Sequence, residues 1–152
     1  MWRDDRGATG DFLENDLDDI SLKHYLAISA SLTADEHRSL AAWLGQICGF
    51  QDADPDLAGN IAAIVREIAS TAQSYVRTAL AQAAATNPRI PADVALRIAN
   101  DEDAVATPFL ALSEVLTEQD LLNIAGLAGS NAKRLAISRR PSVSEALSGV
   151  LA

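Results

Sequence analysis

The chain has 152 residues, of which 49% are apolar and 5% aromatic, so it suits one domain that buries about two-thirds of its unfolded surface. Abundant Ala and Leu in place of aromatic and β-branched residues favour helix over sheet. The net charge of −9 lies mostly in residues 1–60, with 12 acids and 4 bases (net −8), because residues 61–152 carry 9 and 8 (net −1). This field disfavours non-specific binding to nucleic-acid phosphates.

Hydropathy and cysteine usage bear on location. The longest uncharged run, residues 39–51, has 13 residues, fewer than the roughly 20 needed to span a bilayer. The first residues are followed by acids and not by the apolar stretch of a secretory signal. A single cysteine, Cys48, cannot form an internal disulfide, which fits a reducing compartment. We therefore expect a cytoplasmic protein without membrane contact.

The N-terminal segment is acidic and offers little to bury. We expect residues 1–20 to be a flexible acidic lead-in, as chain ends often are. Trp2, Phe12 and Leu13 support another interpretation, an acidic arm with apolar anchors that folds onto a partner or a second copy. The run Asp16-Leu17-Asp18-Asp19 fits a basic partner, although a solvated face is the simpler interpretation.

From residue 21 onward, apolar residues recur at helical spacing. A short helix is predicted over residues 21–30, and Thr33 opens the next helix with a capping box. Asp54-Pro55 opens a third helix, since proline is favoured in the first turn. It runs toward Ala85, either as one helix or broken near Ser70-Thr71.

Beyond residue 90 the predicted helices are short. They cover residues 91–100, 105–113, 118–128, 131–139 and 143–151. Thr117 and Ser142 are the predicted N-caps, each with an acid three residues later, and Pro108 must lie in a first turn or at a kink. Nothing alternates at period two, so we predict an all-α fold without a sheet.

An internal echo links the last helices. Leu110-Ala111-Leu112-Ser113 is matched by Leu135-Ala136-Ile137-Ser138, 25 residues later (135 − 110). A weaker upstream copy matches Leu96, Ile98 and Ala99 to Leu122, Ile124 and Ala125. A fixed period in this range is typical of helical hairpins that stack on one another.

Several stretches resemble the family known as domain of unknown function 2336, a family of uncharacterised, mainly alphaproteobacterial proteins. They are Tyr75 to Ala81, Pro91 to Asp101, Leu116 to Ile124 and Arg134 to Ser144. The resemblance covers roughly residues 32–152 and implies HEAT-like helical repeats. It implies no catalytic residue and no cofactor, since no activity is established for the family.

We therefore predict an N-terminal helical bundle, over about residues 22–86, that continues into HEAT-like α-solenoid helix pairs over about residues 88–152. Residues 21–152 would form a single repeat domain with one shallow groove. Repeats of this kind mostly bind macromolecules, because stacking gives extended concave surfaces. We expect a non-enzymatic protein–protein interaction module, regulatory in one interpretation, whose partner is a protein and which needs no cofactor.

The main basic cluster is Lys133, Arg134, Arg139 and Arg140. On a helix over residues 131–139, the first two lie at the outer side or edge and the other two at the C-terminal end. Cations there complement the helix dipole and can cap the helix. Alternatively, they line a partner-binding groove that recognises a carboxylate or phosphate through bidentate guanidinium contacts.

The chain stops inside an apolar helix that carries Leu147, Val150 and Leu151, with no polar capping unit after it. Either the domain is truncated there, or these residues pack on a second copy. The latter makes a self-associating structural module the alternative function. A HEAT-like nucleic-acid binder is a further alternative, but it would need a broad basic stripe.

The sequence offers no metal site or nucleophile. His24 and His37 are 13 residues apart (37 − 24) and share no ligand spacing with Cys48. We expect His37 to be a surface histidine near a helix cap and Cys48 to be a small buried apolar residue. Neither a base nor an electropositive pocket can be assigned to the thiol.

Overall fold

Local capping and periodicity account for the helices of the computed structural model, which describes residues 20–126 and 130–151. That part of the chain contains nine α-helices and no strand, so the all-α prediction is confirmed. The helices are α1 (Leu22–Ser29), α2 (Ala34–Ile47), α3 (Pro55–Thr71), α4 (Ser74–Ala84), α5 (Ala92–Ala99), α6 (Asp103–Leu112), α7 (Glu118–Gly126), α8 (Asn131–Ser138) and α9 (Glu145–Leu151). The predicted lead-in lies outside the described residues, except for Ile20, which is fully buried.

Two helices begin with reciprocal capping pairs. The Thr33 hydroxyl accepts from the Glu36 amide at 3.1 Å, and the Glu36 carboxylate accepts from the Thr33 amide at 2.8 Å. Thr117 and Asp120 form the same pair at the start of α7, at 3.1 and 2.9 Å. Each pair satisfies two amides that a helix start leaves without a partner, so both predicted caps are confirmed.

The structure also tests two other expectations about helix ends. The long helix after Asp54-Pro55 is interrupted, because α3 ends at Thr71 and α4 begins at Ser74. Ser142 is not the cap of α9, so that prediction is wrong. The Ser144 hydroxyl accepts from the Leu147 amide at 3.1 Å instead.

At the starts of α7 and α9 the C-terminal helices repeat after 27 residues, where the echo predicted 25. Thr117 and Ser144 precede corresponding helices (144 − 117), and Leu110 and Ile137 are both fully buried (137 − 110). The echo instead matches Leu110 to Leu135, which is 51% exposed. Its register is therefore wrong, because two residues turn a helical position by roughly 200°, to the other side of the helix.

The helices pack in two rows. In one row α2 packs on α4, α4 on α6 and α6 on α8; in the other α1 packs on α3 and α3 on α5, and α7 packs on α9. The hairpin neighbours α3–α4, α5–α6 and α7–α8 are in contact across the rows. Buried apolar side chains form one cluster from Ile20 to Leu147, so each helix pair buries its apolar face on the next.

Asn87 joins the end of α2 to the loop after α4. Its side chain is buried, Nδ2 donates to the carbonyls of Gly45 and Cys48 at 2.8 and 2.9 Å, and Oδ1 accepts from the Arg89 amide at 2.8 Å. Gly49 lies beside this joint with φ 92°, and a Cβ there would lie 2.3 Å from the Arg89 carbonyl oxygen. The close approach of the two segments therefore requires glycine.

Replacing Asn87 with alanine should lower the free energy of unfolding by about 2–4 kcal/mol, because two buried carbonyls lose their donor. Urea denaturation followed by circular dichroism measures the change. Asn123 is exposed, so Asn123→Ala is the matched control and should shift the value by less than about 0.5 kcal/mol. Equal stability of the two variants would contradict the role assigned to Asn87.

Candidate functional site

The four cations predicted to form one cluster have different environments in the structure. Arg140 donates from its two terminal nitrogens to the carbonyls of Leu110 and Ser113, each at 2.5 Å. These carbonyls belong to the C-terminal end of α6, so Arg140 caps a neighbouring helix and not its own. Burial lowers the pKa of this guanidinium from its ordinary value. Arg140 is therefore part of the fold.

Lys133 and Arg134 are also involved in contacts within the fold. Lys133 was expected at the outer side or edge of its helix, but its residue is buried at 9% exposure. It occupies the position that corresponds to fully buried Ala106 in the 27-residue repeat (133 − 106). Arg134 donates through Nε to the carbonyl of Ala125 in α7, at 2.9 Å.

Arg139 differs from the other three because it is exposed and lines a cleft. Its backbone amide closes the end of α8 by donating to the carbonyls of Leu135 and Ala136, each at 3.2 Å. Across residues 20–126 and 130–151, no carboxylate forms an ion pair with its guanidinium. Of the predicted cluster, Arg139 is the cation best placed to meet a partner.

Leu135 lies between two clefts. The first has a volume of about 450 Å³ and lies between α6 and α8, with Gln82 of α4 at its border. Its remaining lining is Ala104, Thr107, Pro108, Ala111, Ala132, Leu135, Ala136 and Arg139. Most of these side chains are small, so a large apolar group fits between the helices.

The lining of the first cleft includes Pro108, which lies inside α6. Proline has no N–H, so it cannot donate the helical hydrogen bond to the carbonyl of Ala104, which lines the same cleft. Pro108 is therefore not in the first turn of the helix, and the alternative, a kink at Pro108, stays a prediction.

The second cleft, of about 520 Å³, lies between α8 and α9. Its lining is Asn131, Arg134, Leu135, Ser138, Val150 and Leu151. Two predicted sets of residues therefore meet there, since Arg134 comes from the partner-binding set and Val150 and Leu151 from the self-association set. Val150 is 39% exposed. Leu147 is 2% exposed and belongs to the core, so its side chain is not on this surface.

We call the region around both clefts, in which Leu135, Arg139 and Val150 are exposed and the other members half-buried, the Leu135 surface. It consists of Pro108, Ala111, Leu135, Arg139, Val150 and Leu151. The sequence did not single out Leu135, Pro108 or Ala111 as a site. Alignment on the caps Thr117 and Ser144 would have given this signal, because it matches Leu110 to Ile137 and no longer to Leu135.

A third cleft, of about 640 Å³, is polar and lies between α3, α4 and α5. The Arg77 guanidinium pairs with Asp101 at 2.8 Å and with Glu102 at 2.9 Å, and Arg66 pairs with Asp93 at 2.8 Å. Arg77 also donates to the carbonyl of Ala72, at 2.6 Å. Of the charged side chains that line this cleft, Arg77, Asp93 and Asp101 are paired, and Arg97 is exposed. The paired groups connect α3 and α4 to α5 and its C-terminal end.

A small cleft of about 190 Å³ surrounds Tyr25 and His37. Tyr25 Oη and His37 Nε2 are 2.7 Å apart. Burial lowers the pKa of His37 below its ordinary value of 6.5, while burial and nearby Glu67 raise the pKa of Tyr25 to about 12. His37 is half-buried and not the surface histidine expected, and the pair holds α1 on α2.

The thiol of Cys48 is buried at 1% exposure, and burial raises its pKa to about 11. The prediction of a small buried apolar residue is confirmed. Within residues 20–126 and 130–151, no group of three or more His, Cys, Asp or Glu side chains could hold a metal ion. No helix in the same ranges is long and apolar enough to cross a membrane.

The family model of an uncharacterised protein conserved in bacteria, domain of unknown function 2336, matches residues 105–152. The match begins within α6 and continues through α9, and it therefore includes the Leu135 surface. The expected resemblance is confirmed over this range, and its extension upstream to residue 32 stays a prediction. A search among curated proteins and a search among solved structures found no match.

The two neighbouring arginines should respond differently to truncation. Arg140→Ala should lower the free energy of unfolding by about 1.5–3 kcal/mol, because two carbonyls at the end of α6 lose a charged donor. Arg139→Ala should change it by less than about 0.5 kcal/mol, since its side chain is exposed. Urea denaturation of both variants measures these changes. Equal losses of unfolding free energy would contradict the assignment of Arg140 as a helix cap and Arg139 as an exposed side chain.

Protonation of His37 should contribute to the pH dependence of the free energy of unfolding. Its folded pKa is lowered from 6.5, so its contribution is full above pH 6.5 and is lost as the pH falls through the folded pKa. The free energy of unfolding of the wild type should therefore fall more steeply below about pH 6.5 than that of His37→Gln. Urea denaturation at a series of pH values compares the wild type with His37→Gln. Identical slopes of the free energy of unfolding against pH would contradict the prediction.

Proposed function

We propose that this chain is a non-enzymatic, cytoplasmic protein–protein interaction module that binds a partner across the Leu135 surface. Its helices would stack as HEAT-like pairs, so that consecutive pairs form one extended surface. The order of packing supports this arrangement, since α2, α4, α6 and α8 contact one another in succession. The cytoplasmic assignment rests on the single cysteine, Cys48, which is buried.

The observation that carries the proposal is the exposure of Leu135 at 51% between two clefts. Exposed apolar groups beside concave surfaces are typical of interfaces, where a few large anchors fill pockets and polar groups surround them. Arg139 supplies a cation at the border of the first cleft. The arrangement fits a partner segment with an apolar side chain close to a carboxylate.

The alternative is a self-associating structural module. Val150, at 39% exposure, and Leu151 support it because both line the second cleft beside Leu135. Self-association through α9 would bury these side chains against a second copy. A concentration-independent monomer mass would count against this alternative while leaving the binding of another protein intact.

A nucleic-acid binder has less support. Arg140 and Arg134 donate to backbone carbonyls, and Lys133 is buried. Phosphate binding depends on several free cations along one face. Unchanged migration of DNA and RNA at low salt would remove this alternative.

Leu135→Asp should abolish capture of the partner from a lysate of the source organism, because a charge would enter the apolar anchor position. Arg139→Ala should weaken capture by about tenfold, the effect of losing one charged contact. Affinity purification with quantitative mass spectrometry measures both losses against wild type.

Matched controls come from α5, outside the Leu135 surface. Leu96 is 37% exposed and Arg97 is exposed, so Leu96→Asp and Arg97→Ala make the same chemical changes elsewhere. Circular dichroism and thermal unfolding confirm that each variant is folded. Equal loss of capture in the control variants would refute a specific role for the Leu135 surface.

A further inference from the structure

The Leu135 surface and the N-terminal part of the chain have complementary charge. Of the four cations in residues 121–144, Arg139 lies on the Leu135 surface, and that stretch contains no acid, whereas residues 7–19 carry five acids and no base. The acidic segment also holds three large apolar side chains, Phe12, Leu13 and Leu17. It lies outside the described residues, so its binding site has to be inferred from the surface that it fits.

We propose that the Leu135 surface binds residues 7–19 of a second copy of this chain. The inference rests on the proposed function, because it uses the same surface and names the occupant. Phe12 and Leu13 enter the cleft between α6 and α8, whose small side chains leave about 450 Å³. The acids on either side of these anchors meet Arg139, whose guanidinium has no carboxylate partner in the described part of the chain.

The reach of the chain favours a second copy over the same chain. Eight residues connect Phe12 to Ile20 (20 − 12), and fully extended they span at most roughly 29 Å. Ile20 precedes α1, which packs on α3, whereas the cleft lies beyond α4, between α6 and α8. Three successive helix contacts, α1–α3, α3–α4 and α4–α6, separate them, and at roughly 8–10 Å for each contact the route is up to about 30 Å long. At that distance, docking within one chain would need an almost fully extended connection, which is entropically unfavourable.

Exchange of segments between two copies also gives a closed assembly. Each copy donates one acidic segment and offers one surface, so a two-fold dimer has two identical contacts and leaves neither surface empty. The contact is charge-assisted, so it should weaken as salt screens the acids from Arg139. These properties separate it from apolar packing through Val150 and Leu151 alone.

Sedimentation velocity of the full chain, over about a hundredfold range of concentration, should show a monomer–dimer equilibrium. The double variant Phe12→Asp/Leu13→Asp and the surface variant Leu135→Asp should both be monomeric throughout. Leu96→Asp is the control and should keep the dimer, since Leu96 is an exposed leucine of α5. Thermal unfolding verifies that the variants are folded.

Charge reversal provides a second test that does not place a charge in the apolar cleft. Arg139→Glu should weaken dimerisation by at least about tenfold. Adding Asp11→Lys and Glu14→Lys to that variant should restore it, because the contact regains opposite charges. A synthetic peptide of residues 7–19, labelled with a fluorophore, should bind the Phe12→Asp/Leu13→Asp chain and not the Leu135→Asp chain.

A monomer at all concentrations would overturn the inference, and so would a dimer that survives Phe12→Asp/Leu13→Asp. Peptide binding without dimerisation would overturn the second copy as occupant, because the segment would then dock within its own chain. If the wild type is monomeric but still captures another protein through Leu135, the inference fails and the proposed function stands. If Leu135→Asp changes neither dimerisation nor capture, both fail.

Discussion

Each helix ends in backbone carbonyls that have no partner within the helix, and side chains from later elements satisfy several of them here. Asn87 donates to carbonyls at the end of α2, Arg77 to Ala72 at the end of α3, and Arg140 to the end of α6. Asn87 follows α4 and Arg140 follows α8, so each acts on the helix two places back in the same row. These contacts connect one helix pair to the next through polar groups, alongside the apolar core.

The same requirement explains why the basic residues near α8 do not act together. A carbonyl buried between helices is stabilised by a charged donor, and Arg140 and Arg134 meet that need for α6 and α7. Lys133 occupies a core-facing position of the repeat. Arg139 is two residues past the last buried position of α8, Ile137, and therefore points away from the core. Four residues that are equivalent by charge thus have three physical roles.

Exposure of Leu135 follows from the same geometry. The core-facing positions of α8 are Lys133, Ala136 and Ile137, which leaves Leu135 on the far side of the helix. Helices α6 and α9 stand on either side of it and form the walls of the two clefts. Leu135 is left exposed because the fold has already filled its core with other residues.

Features set by contacts within four or five residues were predictable from the sequence. The caps at Thr33 and Thr117 and the absence of strands in the described part of the chain follow from local hydrogen bonds and helical spacing. The break after Thr71 was one of two alternatives that the sequence left open. The tertiary structure alone decided the 27-residue register, the burial of Leu147, the exposure of Leu135 and the separate fates of Arg139 and Arg140. These depend on which groups face each other across helices some 30 residues apart in the chain, as Arg140 and Leu110 do (140 − 110). A register shift of two residues moves a helical position from the buried side to the exposed side. The local pattern therefore could not decide these features.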